Sequence, residues 1–286
     1  MPLPAVVLAH GSGPVTRHAG PWITFFFEQG LAVLAYDKRG TGESGGAWET
    51  STYLDLADDL SAAVDWVRQR ADIEAERVGV HTSSQSGWYG PHTAMMNPGV
   101  AFLIQRAAPA VNIGVGTGHE IREEWRAQGL SAEVIEPALD FWLQLHQLAG
   151  EKASLEKARE LTDEASRQRW FEPAFGDWFE LDSGWWERHV ANMQLEPGED
   201  VAKLSIPVLW FLAEEDENVP YAASMSLLEA AHESNPELKL VTVHDAPHSF
   251  VVTDHDGKPR YTEEYWQIMG EWLAEQVPTI SHESGQ

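Results

Sequence analysis

A short apolar strand that breaks sharply into a helix constrains this chain more than any other feature. The strand is predicted over residues 78–81, and the break over residues 82–87 consists of small and polar residues. A serine at such a break protrudes from the backbone, where its hydroxyl can attack a carbonyl group. The positions two before and two after that serine pack tightly, so they must be small. Ser84, flanked by Thr82 and Ser86, meets this requirement.

The other serines of the break fit the pattern less well. A nucleophile at Ser83 would have His81 two residues before it. A nucleophile at Ser86 would have Trp88 two residues after it. Both neighbours are too bulky for the tight packing that an exposed serine needs. The sequence therefore predicts Ser84 as the nucleophile.

Strands and helices alternate along most of the chain. Apolar runs typical of buried strands occur at residues 4–9, 31–36, 78–81, 101–107, 207–212 and 239–243, with helical patterns between them. This alternation predicts the α/β class, with a doubly wound, mostly parallel sheet. From residue 119 to residue 199 the pattern is helical and rich in tryptophan. We therefore expect a core of residues 1–118 and 200–286 with a helical insertion at 119–199.

Three spaced glycines precede this insertion. Gly114, Gly116 and Gly118 lack the last glycine of a dinucleotide-binding pattern and do not open an evident helix. They are therefore interpreted as a loop that follows the fourth strand.

A histidine and an acid follow later strands of the predicted sheet. His248 lies in a loop after the last strand, and Asp216 lies four residues after the fifth strand. Loops at the carboxyl ends of parallel strands meet at the edge where ligands bind in open α/β folds. Nucleophilic acyl transfer needs a nucleophile, a base and a group that orients the base. We expect His248 to accept the proton of Ser84 and Asp216 to orient the histidine. Glu214 and Glu215 remain alternative acids.

Backbone N–H groups are expected to stabilise the oxyanion. One should come from Gln85, directly after the nucleophile and at the start of a helix, whose dipole favours negative charge there. The other should come from the segment His10-Gly11-Ser12-Gly13, where glycines let the backbone approach a substrate closely. Ser12 is the expected donor in this segment.

Together these segments resemble the serine esterases of the α/β-hydrolase superfamily. The chain is most similar to bacterial esterases and lipase-like members with an H-G-S-G first loop and a helical cap. The landmarks in chain order are residues 10–13 (H-G-S-G), residues 37–44 (D-K-R-G-T-G-E-S), residues 84–88 (S-Q-S-G-W), Asp216 with Val219-Pro220, and His248 with Phe250. The resemblance implies ester hydrolysis through an acyl-enzyme without a metal or cofactor. It also implies a mainly structural role for the loop at residues 37–44.

Three departures from the family pattern bear on the fold. Thr82 and Ser86 replace the usual glycines of the turn, and Ala213 replaces a common glycine before the acid. Only nine residues precede His10, where the family places two or more further strands. The strand at residues 31–36 is therefore expected at an open sheet edge. An exposed apolar edge tends to pair with another chain, so the sequence predicts either a homodimer through this edge or a chain without an N-terminal part that longer relatives have.

The predicted insertion is rich in aromatic residues, which either form its own core or line a wall for the substrate. The second interpretation makes Trp142 and Trp178 candidate substrate contacts, together with Trp88 after the turn. It predicts hydrolysis of hydrophobic acyl or aryl esters in preference to charged ones. Thioester hydrolysis, amide or peptide hydrolysis, and ligand binding without catalysis remain as alternatives.

The net charge of the chain limits the classes of molecule that it is expected to bind. Its 286 residues carry a formal net charge of −26, which disfavours nucleic acid and anionic membrane surfaces. A small-molecule ester is therefore the expected partner. The absence of cysteine excludes disulfides and thiolate catalysis. No apolar run reaches the length of a membrane-spanning helix and no secretory signal pattern opens the chain, which predicts a cytoplasmic location.

Overall fold

The computed structural model describes residues 2–253 and 256–277. Within them a parallel sheet runs in the order β2-β1-β3-β4-β5-β6. Its strands are β1 (Leu3–Leu8), β2 (Ala32–Ala35), β3 (Ile73–Ser83), β4 (Leu103–Arg106), β5 (Val208–Ala213) and β6 (Leu238–Val243). The prediction of a doubly wound, mostly parallel α/β sheet is confirmed. Residues 278–286 of the predicted core lie outside the described residues.

Helices cover both faces of this sheet. They are α1 (Pro21–Glu28), α2 (Tyr53–Arg68), α3 (Ser86–Met96), α4 (Ile113–Ala127), α5 (Ala132–Gly150), α6 (Leu155–Ala165), α7 (Phe171–Phe175), α8 (Ser183–Asn192), α9 (Pro197–Ala202), α10 (Tyr221–Ser234) and α11 (Glu263–Gln276). A two-stranded antiparallel hairpin, β7 (Val251–Thr253) and β8 (Pro259–Tyr261), precedes α11. No helix of the described residues is long and apolar enough to cross a membrane.

The strands are apolar on both sides because each face is covered by helices. Ala5 and Val7 of β1 pack in the layer that contains α2, α3 and α10. Val6 and Leu8 point to the opposite layer, which contains α1 and α11. Since side chains alternate along a strand, burial on both faces requires an uninterrupted apolar run. Strand β5 shows this pattern in full, whereas the first half of β3 is charged and β6 includes the exposed Lys239.

Helices α4 to α8, called the insertion below, build an apolar core of their own. Its buried aromatic residues are Trp125, Phe141, Trp142, Phe175 and Trp186. Helix α4 begins at Ile113, because the Asn112 side chain accepts a hydrogen bond from the Val115 N–H and so caps the helix. The helical segment therefore starts before the expected boundary at residue 119. The short α9 packs on α3 and α10, as part of the sheet domain.

The three spaced glycines lie inside α4, so their interpretation as a loop is wrong. A Cβ atom on Gly116 would lie 2.6 Å from Cζ2 of Trp88, and one on Gly114 would lie 2.6 Å from Cβ of His146. Only glycine permits helices to approach so closely. Close packing of α4 against α3 and α5 therefore outweighs the cost of about 1 kcal/mol that each glycine adds to a helix.

Gly116→Ala is expected to lower the free energy of unfolding by about 1–2 kcal/mol. The added methyl overpacks the contact with Trp88, and this penalty exceeds the gain in helix propensity of about 1 kcal/mol. The midpoint of urea unfolding measures the change. Gly150→Ala, at the end of α5, is the matched control, because its new methyl would meet only the end of the flexible Met193 side chain, at an ordinary contact distance of 3.6 Å. A G116A variant as stable as the wild type would contradict the proposed packing.

Strand β2 forms one edge of the sheet. In the described residues it pairs with β1 alone, and its four residues are half-buried. The strand thus lies at the sheet edge where the sequence places it. The homodimer through this edge stays a prediction, which sedimentation equilibrium of the protein can test.

Candidate active site

Ser84 occupies the turn between β3 and α3 in a left-handed backbone conformation, with a φ of 54°. Its N–H donates to the carbonyl of Arg106 at 3.0 Å, and its carbonyl accepts from the Gly87 N–H at 2.7 Å. A non-glycine residue in this region costs on the order of 1–3 kcal/mol, and such strain concentrates at functional sites. The turn therefore holds the Ser84 hydroxyl away from the strand and the helix.

Polar side chains complete this turn in place of the missing glycines. Thr82 is buried and its hydroxyl donates to the side-chain carbonyl of Gln105. A Cβ atom on Gly90 would lie 2.6 Å from the Thr82 methyl, so this glycine provides the space that Thr82 fills. The Ser86 hydroxyl accepts from the Ser83 N–H at 2.7 Å and donates to the Ser83 carbonyl at 3.0 Å. The sharp turn is thus formed without glycine at either flanking position.

Ser84, His248 and Asp216 lie in one chain of hydrogen bonds. Oγ of Ser84 is 2.9 Å from Nε2 of His248, and Nδ1 of His248 is 2.8 Å and 3.0 Å from the two Asp216 carboxylate oxygens. The Asp216 side chain is 1 % exposed, and its Oδ1 also accepts from the N–H groups of Asn218 and Val219. A carboxylate facing Nδ1 places the proton there and leaves Nε2 to accept the serine proton.

The alternative residues point elsewhere. The Ser83 hydroxyl accepts from Arg106 at 2.8 Å, so it is turned away from the histidine. Glu214 pairs with the exposed His244 at 2.9 Å. The side chain of Glu215 is exposed to solvent. The geometry therefore selects Ser84 and Asp216 from the sets of neighbouring serines and acids.

Arg106, at the end of β4, anchors the loop that carries the histidine. Its guanidinium donates to the carbonyls of His248, at 3.3 Å, and of Ser249. It also lies 4.9–5.9 Å from the centroids of three aromatic rings, those of Trp22, Phe250 and Tyr261. Carbonyl oxygens and ring faces thus hold this buried cation.

The residues predicted to donate to the oxyanion, Ser12 and Gln85, both lie close to Ser84. Ser12 lines the same cavity as Ser84, and a Cβ atom on Gly11 would lie 3.8 Å from Cβ of Ser84. In the described residues no acceptor is found for the backbone N–H of Ser12 or of Gln85. Both N–H groups are therefore available to a developing negative charge.

Ser84 lines a cavity of about 250 Å³, called the catalytic cavity below. Its walls are formed by Ser12, Ser84, Trp88, Pro109, Glu120, Asn218, Val219 and His248. Of the three tryptophans predicted to contact substrate, only Trp88 lines it. Trp142 is buried in the core of the insertion, where its Nε1 donates to the Thr117 hydroxyl at 3.2 Å. Trp178 is 57 % exposed and lies beside Phe175.

Glu120 of α4 contributes a carboxyl group to the cavity wall. Partial burial raises the pKa of this carboxyl, while the nearby His248 opposes the shift. A carboxylate in so small a cavity repels an anionic substrate. In the part of the chain that the structure describes, no cluster of three or more histidine, aspartate or glutamate side chains is arranged to hold a metal ion.

Three residues of this region were not predicted from the sequence to belong to the site: Lys38, Arg106 and Glu120. The sequence could have singled out Arg106, because a cation interrupts the apolar run at residues 101–107. No signal in the sequence singled out Lys38, since charged residues in glycine-rich loops are usually solvated, yet it is only 1 % exposed. Glu120 lies in a charged stretch that reads as an ordinary solvated helix face.

Comparison with known proteins is consistent with this geometry. The family model of the X-Pro dipeptidyl-peptidases (S15 family) matches residues 6–249, a range that contains Ser84, Asp216 and His248. The chain belongs to the S15 peptidase family. This S15 protein is a hydrolase of the α/β-hydrolase type, so the resemblance found in the sequence is confirmed at the level of the superfamily.

Proteins similar to this S15 protein in sequence or in structure match it over most of its length. An uncharacterized 31.7 kDa protein in the traX-finO intergenic region of Escherichia coli is 26 % identical over 237 residues, which cover 82 % of this chain and 80 % of the relative. The structure of the esterase Pf2001 of Pyrococcus furiosus has a TM-score of 0.62 at 19 % identity, covering 96 % of this chain and 82 % of that chain. Est1E of Butyrivibrio proteoclasticus with bound ferulic acid has a TM-score of 0.58 at 20 % identity, covering 97 % and 91 %.

Proposed function

We propose that this S15 protein cleaves carboxylic esters through an acyl-enzyme formed on Ser84. The observation that carries the proposal is the continuous chain of hydrogen bonds from the Ser84 hydroxyl through His248 to the buried Asp216. A serine held at a strained turn beside an oriented imidazole is equipped for nucleophilic attack. The two unoccupied N–H groups next to it supply the electrostatic stabilisation that acyl transfer needs.

In the first half of the reaction, Oγ of Ser84 attacks the ester carbonyl carbon as Nε2 of His248 accepts the hydroxyl proton. The carbonyl oxygen becomes an oxyanion, which accepts hydrogen bonds from the N–H groups of Ser12 and Gln85. Asp216 stabilises the imidazolium that forms. The C–O bond to the leaving group then breaks, and Nε2 of His248 protonates the departing alkoxide.

The second half repeats these steps with water. Nε2 of His248 accepts a proton from a water molecule, whose oxygen attacks the acyl carbon. Collapse of the second tetrahedral intermediate breaks the bond to Oγ, and His248 returns the proton to Ser84. The carboxylic acid is released and the free enzyme is regenerated.

The walls of the catalytic cavity favour a small, uncharged acyl or aryl group. Trp88 is stacked on Tyr53, with ring centroids 5.5 Å apart, so its indole forms a rigid apolar surface. The volume of about 250 Å³ suits a short acyl chain or a single aromatic ring. Glu120 acts against substrates that carry negative charge.

Turnover and covalent labelling together test the proposal. We expect hydrolysis of p-nitrophenyl acetate, butyrate and benzoate, and a fluorophosphonate adduct that mass spectrometry locates on Ser84. The same panel includes acyl thioesters, because the leaving group is not fixed by the triad. No turnover of any ester together with an unlabelled Ser84 would reject the proposal and favour a ligand-binding role.

Peptide hydrolysis is the second candidate, and the family match is the observation that favours it. The triad chemistry is the same, but the leaving group is an amine that His248 must protonate. Dipeptidyl p-nitroanilides with proline at the second position test this activity. A kcat/KM for these amides that exceeds the value for the esters would make peptide hydrolysis the primary activity.

Glu120→Gln is expected to raise kcat/KM for an anionic ester, relative to a neutral ester of the same size, by about tenfold. Removal of a like charge from the cavity is worth on the order of 1 kcal/mol or more. The mono-p-nitrophenyl ester of succinic acid and p-nitrophenyl butyrate form the substrate pair at pH 7.5. Glu133→Gln, on the exposed start of α5, is the control and should leave the ratio unchanged. An unchanged ratio in E120Q would show that Glu120 does not face the substrate.

A further inference from the structure

Lys38 lies buried beneath the nucleophile turn. It follows β2 in the loop at residues 37–44, and it is 1 % exposed. Its ammonium donates to the carbonyls of Gly11 at 3.0 Å and Gly13 at 3.2 Å, and to Oε1 of Gln85 at 2.6 Å. An ammonium group has three donors, so every one of them is used here.

These three acceptors belong to the two segments that carry the oxyanion donors. Gly11 and Gly13 lie on either side of Ser12, and the third acceptor is the side chain of Gln85 itself. One ammonium therefore ties the loop after β1 to the first residue of the turn after Ser84. Contacts of this kind fix the separation of the Ser12 and Gln85 N–H groups, which must both point at one oxygen atom.

The ammonium has no carboxylate partner among the described residues. The adjacent Asp37 is engaged by the Arg17 guanidinium and by the N–H groups of Arg17 and Glu43. The Trp48 ring lies on another side, with its centroid 5.3 Å from Nζ. Burial of an unneutralised charge is costly, and such charges are found where a site uses them. An oxyanion formed near Lys38 would supply the missing negative charge.

We propose that Lys38 is the positioning residue of the oxyanion hole, and that its positive charge stabilises the oxyanion. This inference rests on the proposed acyl transfer at Ser84 and assigns a role to a loop that the family resemblance treats as structural. The ammonium holds the two N–H donors in place before the substrate arrives. Because water is excluded from its surroundings, the electrostatic interaction of the ammonium with the oxyanion is stronger than it would be in water.

The charge of Lys38 is present at neutral pH and is lost in mild alkali. Burial lowers the pKa of Lys38 to about 8, so the ammonium deprotonates as the pH rises through that value. Among the neighbouring groups, burial raises the pKa of Tyr53 to about 12, and burial, reinforced by the charge of Lys38, lowers that of His10. The Arg17 guanidinium holds the pKa of Asp37 far below its usual range.

Lys38→Met tests the proposal, because methionine keeps the length of the side chain and removes its charge and donors. We expect kcat for p-nitrophenyl acetate to fall about 10²-fold or more while KM changes less than threefold. The loss of activity that we expect above pH 8 in the wild type should be absent from the low residual activity of K38M. Lys239→Met, on the exposed side of β6, is the matched control and should behave as the wild type.

A second readout separates this inference from the proposed ester hydrolysis. The rate constant for sulfonylation of Ser84 by phenylmethanesulfonyl fluoride requires no ester turnover, and in the wild type it should fall as the pH rises through about 8. Gln85→Leu removes one acceptor of the ammonium but keeps the backbone N–H. Loss of this acceptor disfavours the charged form of Lys38, so the decrease in the sulfonylation rate should begin at a lower pH. Both measurements remain informative if K38M does not fold.

The results that overturn the role of Lys38 are specific. A wild-type sulfonylation rate constant that does not change from pH 7 to pH 10 would overturn the proposed role of Lys38. So would a folded K38M variant that retains kcat within threefold of the wild type. Wild-type protein that is sulfonylated on Ser84 with the expected pH limb but cleaves no ester would instead reject ester hydrolysis and leave the assignment of Lys38 intact.

Discussion

Replacement of Ser84 by alanine is expected to lower kcat for p-nitrophenyl acetate by about 10⁴-fold or more. The hydroxyl is the only protein group in the proposed mechanism that bonds to the acyl carbon, and no neighbouring side chain replaces it. Ser83 and Ser86 are unable to do so, because their hydroxyls are engaged by Arg106 and by the Ser83 backbone. KM should change little, since the walls of the catalytic cavity are retained.

Steady-state kinetics and labelling with the fluorophosphonate probe measure this loss. S84A should take up no probe, while Ser234→Ala, at the exposed end of α10, should match the wild type in both measurements. Relief of the backbone strain at residue 84 is not expected, because alanine carries the same Cβ atom. Undiminished turnover by S84A would show that another residue is the nucleophile.

The second large effect is expected for Asp216→Asn, with a loss in kcat of about 10⁴-fold. The amide oxygen can still accept hydrogen bonds from the N–H groups of Asn218 and Val219, which now end on Oδ1. The amide nitrogen then faces Nδ1 of His248 as a donor. This arrangement favours the tautomer with the proton on Nε2, which is unable to accept the proton of Ser84.

The control for this variant is Glu215→Gln, because Glu215 lies in the same acidic loop with an exposed side chain. E215Q should keep its kcat, and both variants should unfold at nearly the wild-type temperature. Retention of more than a tenth of the wild-type kcat by D216N would show that the buried carboxylate does not set the tautomer of His248.

The alternation of strands and helices and the convergence of Ser84, His248 and Asp216 could be anticipated because each depends on local signals. Buried parallel strands appear in the sequence as apolar runs. The loop residues that follow these strands meet at one edge of the sheet, whatever the details of packing. The bounds of β3 were less predictable. The strand starts at Ile73 instead of Val78. Ile73 pairs with Leu3 of β1, and the register shifts across the charged residues 74–77 before Val78 pairs with Ala5.

Features that depend on contacts between distant segments were not visible in the sequence. Glycines in α4 indicated a loop, because their close approach to Trp88 and His146 exists only in the folded chain. Trp142 was expected in the cavity wall, but α5 turns it toward the core of the insertion. Lys38 joins its own loop to the segment of Gly11 and Gly13 and to Gln85, which are far apart in sequence. No local pattern in the sequence indicates these contacts.

The placement of the insertion also determines how this enzyme can diversify. The chain leaves the sheet after β4 and returns in β5, which is the adjacent strand in the same parallel register. Seven of the eight wall residues belong to the sheet domain, and only Glu120 comes from the helices between these strands. Substitutions in α4 to α8 that keep the contact with Trp88 therefore alter the cavity wall through Glu120 alone, so the choice of substrate can diverge while the triad residues and their scaffold stay the same.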